Sequence, residues 1–392
     1  MDCEKIFLRD EETMILTNEN YKEVLKTIDA NTNWMKIYFK DVNIKGIDNV
    51  PILVESEKEK HNLTSRDDVV ISCMENTGIC LEFPVENKLV TYPVSTLGYL
   101  GVITRAGFGG GPALYYAEST KRFPMPPSSR ASVINEGLST FKDCESNFGY
   151  ILCRYDRIDA FHSAEYSVLP VSELLMYVED SLDLNYQSWE FDGGSVSPSF
   201  TSLKWHIIDS KLESDLKNIL KIKNDFTVCI ILLSSDTGTS SAKLYLALQG
   251  KSKFPMLIGN PKNLPHKNGN AVSDFVEAAD AITGSVRDNI ALLQSLTTKK
   301  CEHIDGTIRL LSRKFRLPKK IAMQVAEEYG TGYPKGATFY EVFIALQDII
   351  YLYQKDADKV SPEKSFELSE AVVSMLYFEH LSEYDRFFEW AD

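Results

Sequence analysis

Apolar positions recur along this chain with two different periods, and the change from one to the other divides it. Tyr21, Val24, Leu25 and Ile28 lie three and four apart, which predicts a helix with Thr17 or Asn18 as its N-cap. Met35 to Phe39 then alternates as a strand, and Pro51 to Val54 predicts another. Val69 to Cys73 and Gly78 to Phe83 read as the arms of a hairpin that turns at Asn76-Thr77-Gly78. Ser95 and Thr96 are placed to cap a helix over Leu97 to Arg105, and Ser128 or Ser129 to cap one over Arg130 to Thr140.

The most densely patterned stretch is Phe148 to Asp183, which reads as strand, turn, strand, helix. Ile151 and Cys153 alternate with Leu152 and Arg154. Asp156 and Arg157 make a polar turn, and Ile158, Ala160 and Phe161 resume the period of two. Pro170 suits a first helical turn, where its missing N–H costs nothing, and Leu174, Leu175, Val178 and Leu182 form one apolar stripe. Asp183 to Pro198 is a turn-rich break. Phe200 to Ile208 is a strand. Phe226 to Leu233 is an unbroken apolar run, hence a strand covered on both faces, with Leu244 to Leu248 as its hairpin partner.

From Ser273 onward the period is helical: Ser273 to Leu296, Glu302 to Phe315, Lys319 to Tyr329, Thr338 to Tyr353 and Glu367 to Trp390, the last with a break near His380, and breaks at Pro318, Pro334 and Pro362 separate them. The pattern predicts an α+β fold. Residues 1–270 form a core domain with a mixed or antiparallel sheet, and residues 271–392 a helical C-terminal subdomain.

Composition narrows the setting. At 392 residues the chain exceeds the size at which one core stops growing, and 44% hydrophobic content is that of a globular protein. With 42 basic against 56 acidic residues the net charge is −14, which disfavours phosphate binding by the surface as a whole. The seven cysteines are odd in number, scattered and mostly within apolar runs, a pattern of reduced buried thiols. No pair has zinc-knuckle spacing, and no metal or cofactor is expected. The charged first residues hold no signal-peptide core, and no apolar run approaches the ~18 residues of a membrane span.

Candidate chemistry is sparse. Gly107 to Pro112 precedes a helix, but a helix rather than a strand leads into it and no Gly-Lys-Ser follows, so a tight turn is the expectation rather than a phosphate loop. The connector Ser234 to Ser241 gathers hydroxyls around Asp236 and is expected as a long hairpin turn. Arg154, Arg157, His162 and Tyr166 cluster on the strand-turn-strand with Arg130 nearby, and Arg313, Lys314, Arg316, Lys319 and Lys320 crowd an inter-helix loop. Arginines paired with phosphates and a tyrosine offering a stacking face would suit an accessory protein that handles single-stranded or replicating DNA without turnover. Internal pairing of Arg154 and Arg157 with Asp156, Asp159 and Glu165 is the competing arrangement. Residues 341–392 hold four basic and twelve acidic residues. That surplus makes Glu379, Glu383, Asp385 and Glu389 candidates for contact with a basic host or phage protein, such as a defence factor. Third comes an enzyme in which His162, Glu165 and the Ser234 to Ser241 loop converge.

Several segments in order resemble one family: Arg130 to Leu138, Leu152-Cys-Arg154, Ile158-Asp-Ala160, Ser163 to Tyr166, and Leu169-Pro-Val-Ser-Glu-Leu174. Ser234 to Gly238, His266 with Gly269, and the Thr91 to Ala106 stretch continue the likeness. Together they resemble the phage/plasmid-like domain-of-unknown-function family over roughly residues 60–350. The chain departs from that pattern at Ile231-Leu232-Leu233, where the family often has an arginine-asparagine pair. The resemblance implies a mobile-element origin and cytoplasmic action in a bacterium, and it implies no established activity.

Overall fold

The computed structural model describes residues 9–10, 12–48, 54–106, 125–140, 147–220, 226–250, 255–267, 272–356 and 362–390. The glycine cluster at 107–112 and residues 51–53 of the strand expected over 51–54 lie outside them.

In chain order the strands are β1 (Met14–Leu16), β2 (Thr32–Tyr38), β3 (Asn43–Gly46), β4 (Ile79–Val85), β5 (Lys88–Pro93), β6 (Phe148–Arg154), β7 (Arg157–Ser163), β8 (Trp189–Val196), β9 (Thr201–Ile207), β10 (Phe226–Ser234), β11 (Ala242–Gly250), β12 (Met256–Leu257), β13 (Lys262–Leu264), β14 (Lys300–Cys301) and β15 (Ala337–Thr338). The helices are α1 (Tyr21–Ala30), α2 (Val54–His61), α3 (Asp67–Asn76), α4 (Thr96–Arg105), α5 (Pro127–Ser139), α6 (Val171–Asn185), α7 (Ser210–Leu220), α8 (Val272–Gly284), α9 (Val286–Leu296), α10 (Ile304–Lys314), α11 (Lys319–Gly332), α12 (Phe339–Asp356) and α13 (Pro362–Val373).

The fold is α+β with antiparallel sheets. β10 is central because its run from Val228 to Ser234 is wholly buried, and it pairs with β9 on one side and β11 on the other. The sheet runs β1-β8-β9-β10-β11-β12, with β13 also on β11, making seven strands. Two three-stranded sheets, β2-β6-β7 and β3-β4-β5, lie apart from it.

The apolar interior follows the same division. One cluster joins the large sheet to α1, α6 and the C-terminal helices, from Leu16 through Trp205 and Phe343 to Leu381. The expected boundary near residue 270 falls inside it, since Leu264 and Phe275 are both members. A second cluster, Ile37 to Phe161, fills the space between the small sheets, α4 and α5. There α4 lies flush on β7: a Cβ at Gly98 would stand 2.3 Å from the Ile158 carbonyl oxygen, and one at Gly101 2.9 Å from Phe161 N.

Three expectations are corrected. Val69 to Cys73 is helical, within α3. Asp67 and Asp68 occupy its positive N-terminal end, and Val69, Val70, Cys73 and Met74 bury one side at helical spacing. A β-branched pair inside an amphipathic pattern misleads because propensity yields to packing. The break expected at Asp183 to Pro198 contains β8, which bulges at Asp192: the register with β9 shifts between Phe191 and Gly193, and Gly193 has φ +107°. The last expected helix is α-helical only to Val373 and continues as two short 3-10 turns, Ser374–Tyr377 and Leu381–Tyr384, which are separated at the break expected near His380. The five described cysteines are free and buried, and no described helix is long and apolar enough to cross a membrane.

Candidate functional site

β6 and β7 form a two-residue hairpin whose turn residues, Tyr155 and Asp156, both have positive φ (53° and 57°). That tight reversal sets Arg154 and Arg157 opposite each other and aims both inward. Arg157 is 1% exposed; its Nε lies 2.6 Å from Asp159 Oδ1 and its Nη1 3.5 Å from Asp10 Oδ1. Arg154 donates to Asp236 Oδ2 at 2.7 Å, to the Pro198 carbonyl at 3.1 Å and to Thr32 Oγ1 at 3.3 Å. The arginines face carboxylates, not solvent. Arg130 is also buried: its guanidinium donates to the carbonyls of Thr77 and Met125 and stacks over Tyr99. As surface contacts for phosphate, Arg130, Arg154 and Arg157 are therefore withdrawn, because burying a guanidinium requires that internal acceptors occupy it.

His162 and Tyr166 converge on the hydroxyl-rich loop. The Asp236 carbonyl accepts from His162 Nε2 at 2.8 Å and from the Tyr166 hydroxyl at 3.0 Å. A carbonyl only accepts, so His162 carries its proton on Nε2. By the same reasoning His266 Nδ1, 3.2 Å from the Ser167 carbonyl and 3.2 Å from Tyr166 Oη, is the protonated nitrogen of that ring. The rings of Trp34, Tyr166, His162 and His266 stack, with His162 and Tyr166 3.7 Å apart between centroids. Burial pushes both histidines down to about 4, leaving them neutral at pH 7. Glu165 is exposed and takes no part in this cluster. Burial raises Asp236 above the ordinary carboxylate range although Arg154 opposes the shift, and burial likewise raises Asp29. Among the described residues no group of three or more His, Cys, Asp or Glu side chains is arranged to hold a metal.

The second cationic group stands at the turn between α10 and α11. α10 closes with a Schellman pattern: Leu317 N–H donates to the Ser312 carbonyl at 2.9 Å and Arg316 sits at φ +56°. Phe315 and Leu317 are buried beneath it, so Arg313, Lys314, Arg316, Lys319 and Lys320 are all turned outward. Among the described residues Arg313, Lys314, Arg316 and Lys320 form no ion pair. Lys314 lies 5.0 Å from the Phe378 ring and 5.2 Å from that of Tyr384, and Arg313 5.9 Å from Phe388. The acidic candidates share this neighbourhood. Glu379, Glu383 and Glu389 are exposed. Asp385 is not available for a partner: its carboxylate accepts from the backbone N–H groups of Glu302 and His303, each at 2.8 Å, and anchors the start of α10.

Sequence reasoning named Arg154, His162, Tyr166 and the loop but missed Asp29 and Trp34. Only the half-buried register of β2 and the C-terminal turn of α1 bring these to the cluster. No protein-family model, curated protein or solved structure matches the chain.

Proposed function

We propose that the protein binds single-stranded DNA, without turnover, through the turn joining α10 and α11, as an accessory protein of a phage or plasmid. The observation that carries this is the set of outward cations at Arg313, Lys314, Arg316 and Lys320, free of ion pairs among the described residues, with the Phe388 ring 5.9 Å from Arg313 and its sequence neighbour Phe387 69% exposed. Cations that follow a backbone and an open aromatic face on which a base stacks are the two elements of sequence-tolerant single-strand binding. The phage or plasmid setting rests on the family resemblance. The acidic alternative has less support, because Glu379, Glu383 and Glu389 lie on the segment that packs against the same cationic turn and do not make a uniformly negative face.

The test is fluorescence anisotropy with a labelled oligonucleotide across a salt series. Binding is expected at low salt with a steep decline, and a triple Arg313→Ala, Arg316→Ala, Lys320→Ala variant should lose about 2 units of log-log salt slope, given about 0.7 per neutralised phosphate on a single strand. No binding at low salt, or an unchanged slope in the triple variant, would remove this reading.

A further inference from the structure

One face of a small sheet carries chemistry of its own. In the β2-β6-β7 sheet Met35, Ile37, Ile151, Cys153 and Phe161 pack into the second apolar cluster. The alternation of a strand sends their neighbours to the opposite side. There the register sets Lys36 beside Tyr150 and Tyr150 beside His162, with Tyr38 paired to Phe148 toward one end and Trp34 to Leu152 toward the other. The Leu152 end is closed: Leu152 and Ala160 are buried beside the stacked rings of Trp34, His162 and Tyr166. At the other end Tyr38, Phe148 and Tyr150 are only half-buried, and Lys36 is exposed.

Among the described residues none of these three rings belongs to an apolar cluster or packs against one. They meet one another instead: Phe148 lies 6.1 Å from Tyr38 and 6.0 Å from Tyr150 between centroids. Large aromatic surface left side by side at the exterior marks a contact site. The site also has a sign. Residues 34–38, 148–152 and 160–162 include no carboxylate. Lys36 Nζ stands 3.8 Å from the Phe148 ring centroid, and Lys36 forms no ion pair among the described residues. Arg105, the last residue of α4, is a second cation without an ion pair, and its Nε finds no acceptor in the chain. Gly98 and Gly101 seat α4 on β7, so the helix runs past Phe161 toward the end of that strand, and the Arg105 charge reaches His162. Lys36 on β2 and Arg105 beside β7 therefore flank the aromatic face across three strands, a width of about 10 Å.

We propose that this face is a stacking platform for single-stranded DNA, with a base on Tyr150 and phosphates held by Lys36 and Arg105. For its ligand the proposal rests on the single-strand reading above, and its residues are different ones. An acidic peptide would use the two cations and leave the rings idle, and an apolar partner would do the reverse. A single strand uses both, because every base has a face to stack and every nucleotide a charge to neutralise.

Photocrosslinking of the full chain to a short oligothymidylate that carries 5-iododeoxyuridine, with the crosslinked peptide mapped, is the test. The expected crosslink falls in the segment that holds Phe148 and Tyr150. Crosslinks confined to Phe387 and Phe388 would overturn this proposal and leave the α10–α11 turn standing. Crosslinks at Tyr150, with affinity unchanged in the Arg313→Ala, Arg316→Ala, Lys320→Ala variant, would support the face and remove the turn. In anisotropy Tyr150→Leu should weaken binding roughly tenfold and Tyr150→Phe should retain it, since the ring and not the hydroxyl is used. Lys36→Gln alters an exposed side chain without an ion pair, so its fold is secure, and it should lower the log-log salt slope by about 0.7. Full affinity in Tyr150→Leu, an unchanged slope in Lys36→Gln, an abasic strand bound as tightly as oligothymidylate, or equal competition by polyglutamate overturns the proposal.

Discussion

Arg154 Nη2 and Asp236 Oδ2, 2.7 Å apart and both largely buried, bind the hairpin of a small sheet to the loop that leaves the central strand of the large one. Removing one partner strands the other's charge. Arg154→Met should cost about 3–5 kcal/mol, and the double variant Arg154→Met, Asp236→Leu should recover much of it. Urea unfolding of the two variants checks this; equal loss in both would show that packing, not charge, holds the contact.

His162 and His266 make stability fall on acidification. Both folded values sit near 4 against an unfolded value near 6.5, so the folded state takes up fewer protons. Their contribution is complete above about pH 6.5 and is lost as pH falls from there toward 4. A His162→Gln, His266→Gln double variant should show a flatter unfolding free energy between pH 6.5 and 4 in chemical denaturation, and an unaltered slope would contradict the assignment.

Gly98 has no space for a side chain against β7. Gly98→Ala places a carbon 2.3 Å from the Ile158 carbonyl oxygen, so α4 must move outward. A loss of about 1–3 kcal/mol is expected, in the range of overpacked positions. Differential scanning calorimetry measures it, and a neutral result would mean that α4 is not seated as described.

Arg316 separates stability from binding. Its φ of +56° suits glycine, so Arg316→Gly should stabilise the chain by about 1 kcal/mol, the usual left-handed penalty relieved. The same change removes one outward cation and should weaken oligonucleotide binding. A variant that is both less stable and equally tight would fail both halves.

Much of the architecture is legible from residue order. The apolar run from Phe226 to Leu233 announces a covered strand, the stripe from Leu174 to Leu182 announces α6, and Arg157 with Asp159 two residues on already suggests an internal pair. What stays hidden depends on distance or on context. No local signal says that Arg154 meets Asp236 rather than one of the carboxylates closer in sequence, since that choice is made by how the large sheet is placed against the small one. Tyr155 and Asp156 lack the glycine that marks a tight hairpin, so the turn registers one residue late. Val69 and Val70 look like a strand until Ile47, Leu63 and Cys80 supply a cluster for Val70, Cys73 and Met74 to cover from one helical side. The burial of Ser234 and Asp236 is invisible for another reason: they sit in a hydroxyl-rich segment whose composition reads as exposed.

Strand β1 pairs with β8 and β2 with β6, so the short span from Met14 to Tyr38 completes both the large sheet and a small one. A ribosome delivers that span first and its partners much later. Met14 waits for Val196, and Thr32 for Arg154. During that interval the closure entropy of long loops keeps both pairings open, and the apolar side of α1 has nothing to cover it. Synthesis therefore passes through a long stage with unpaired strands, when chaperones or self-association compete for the chain. A polypeptide halted before Phe148 leaves both strands without their partners, and one halted between Ser163 and Trp189 still lacks most of the large sheet.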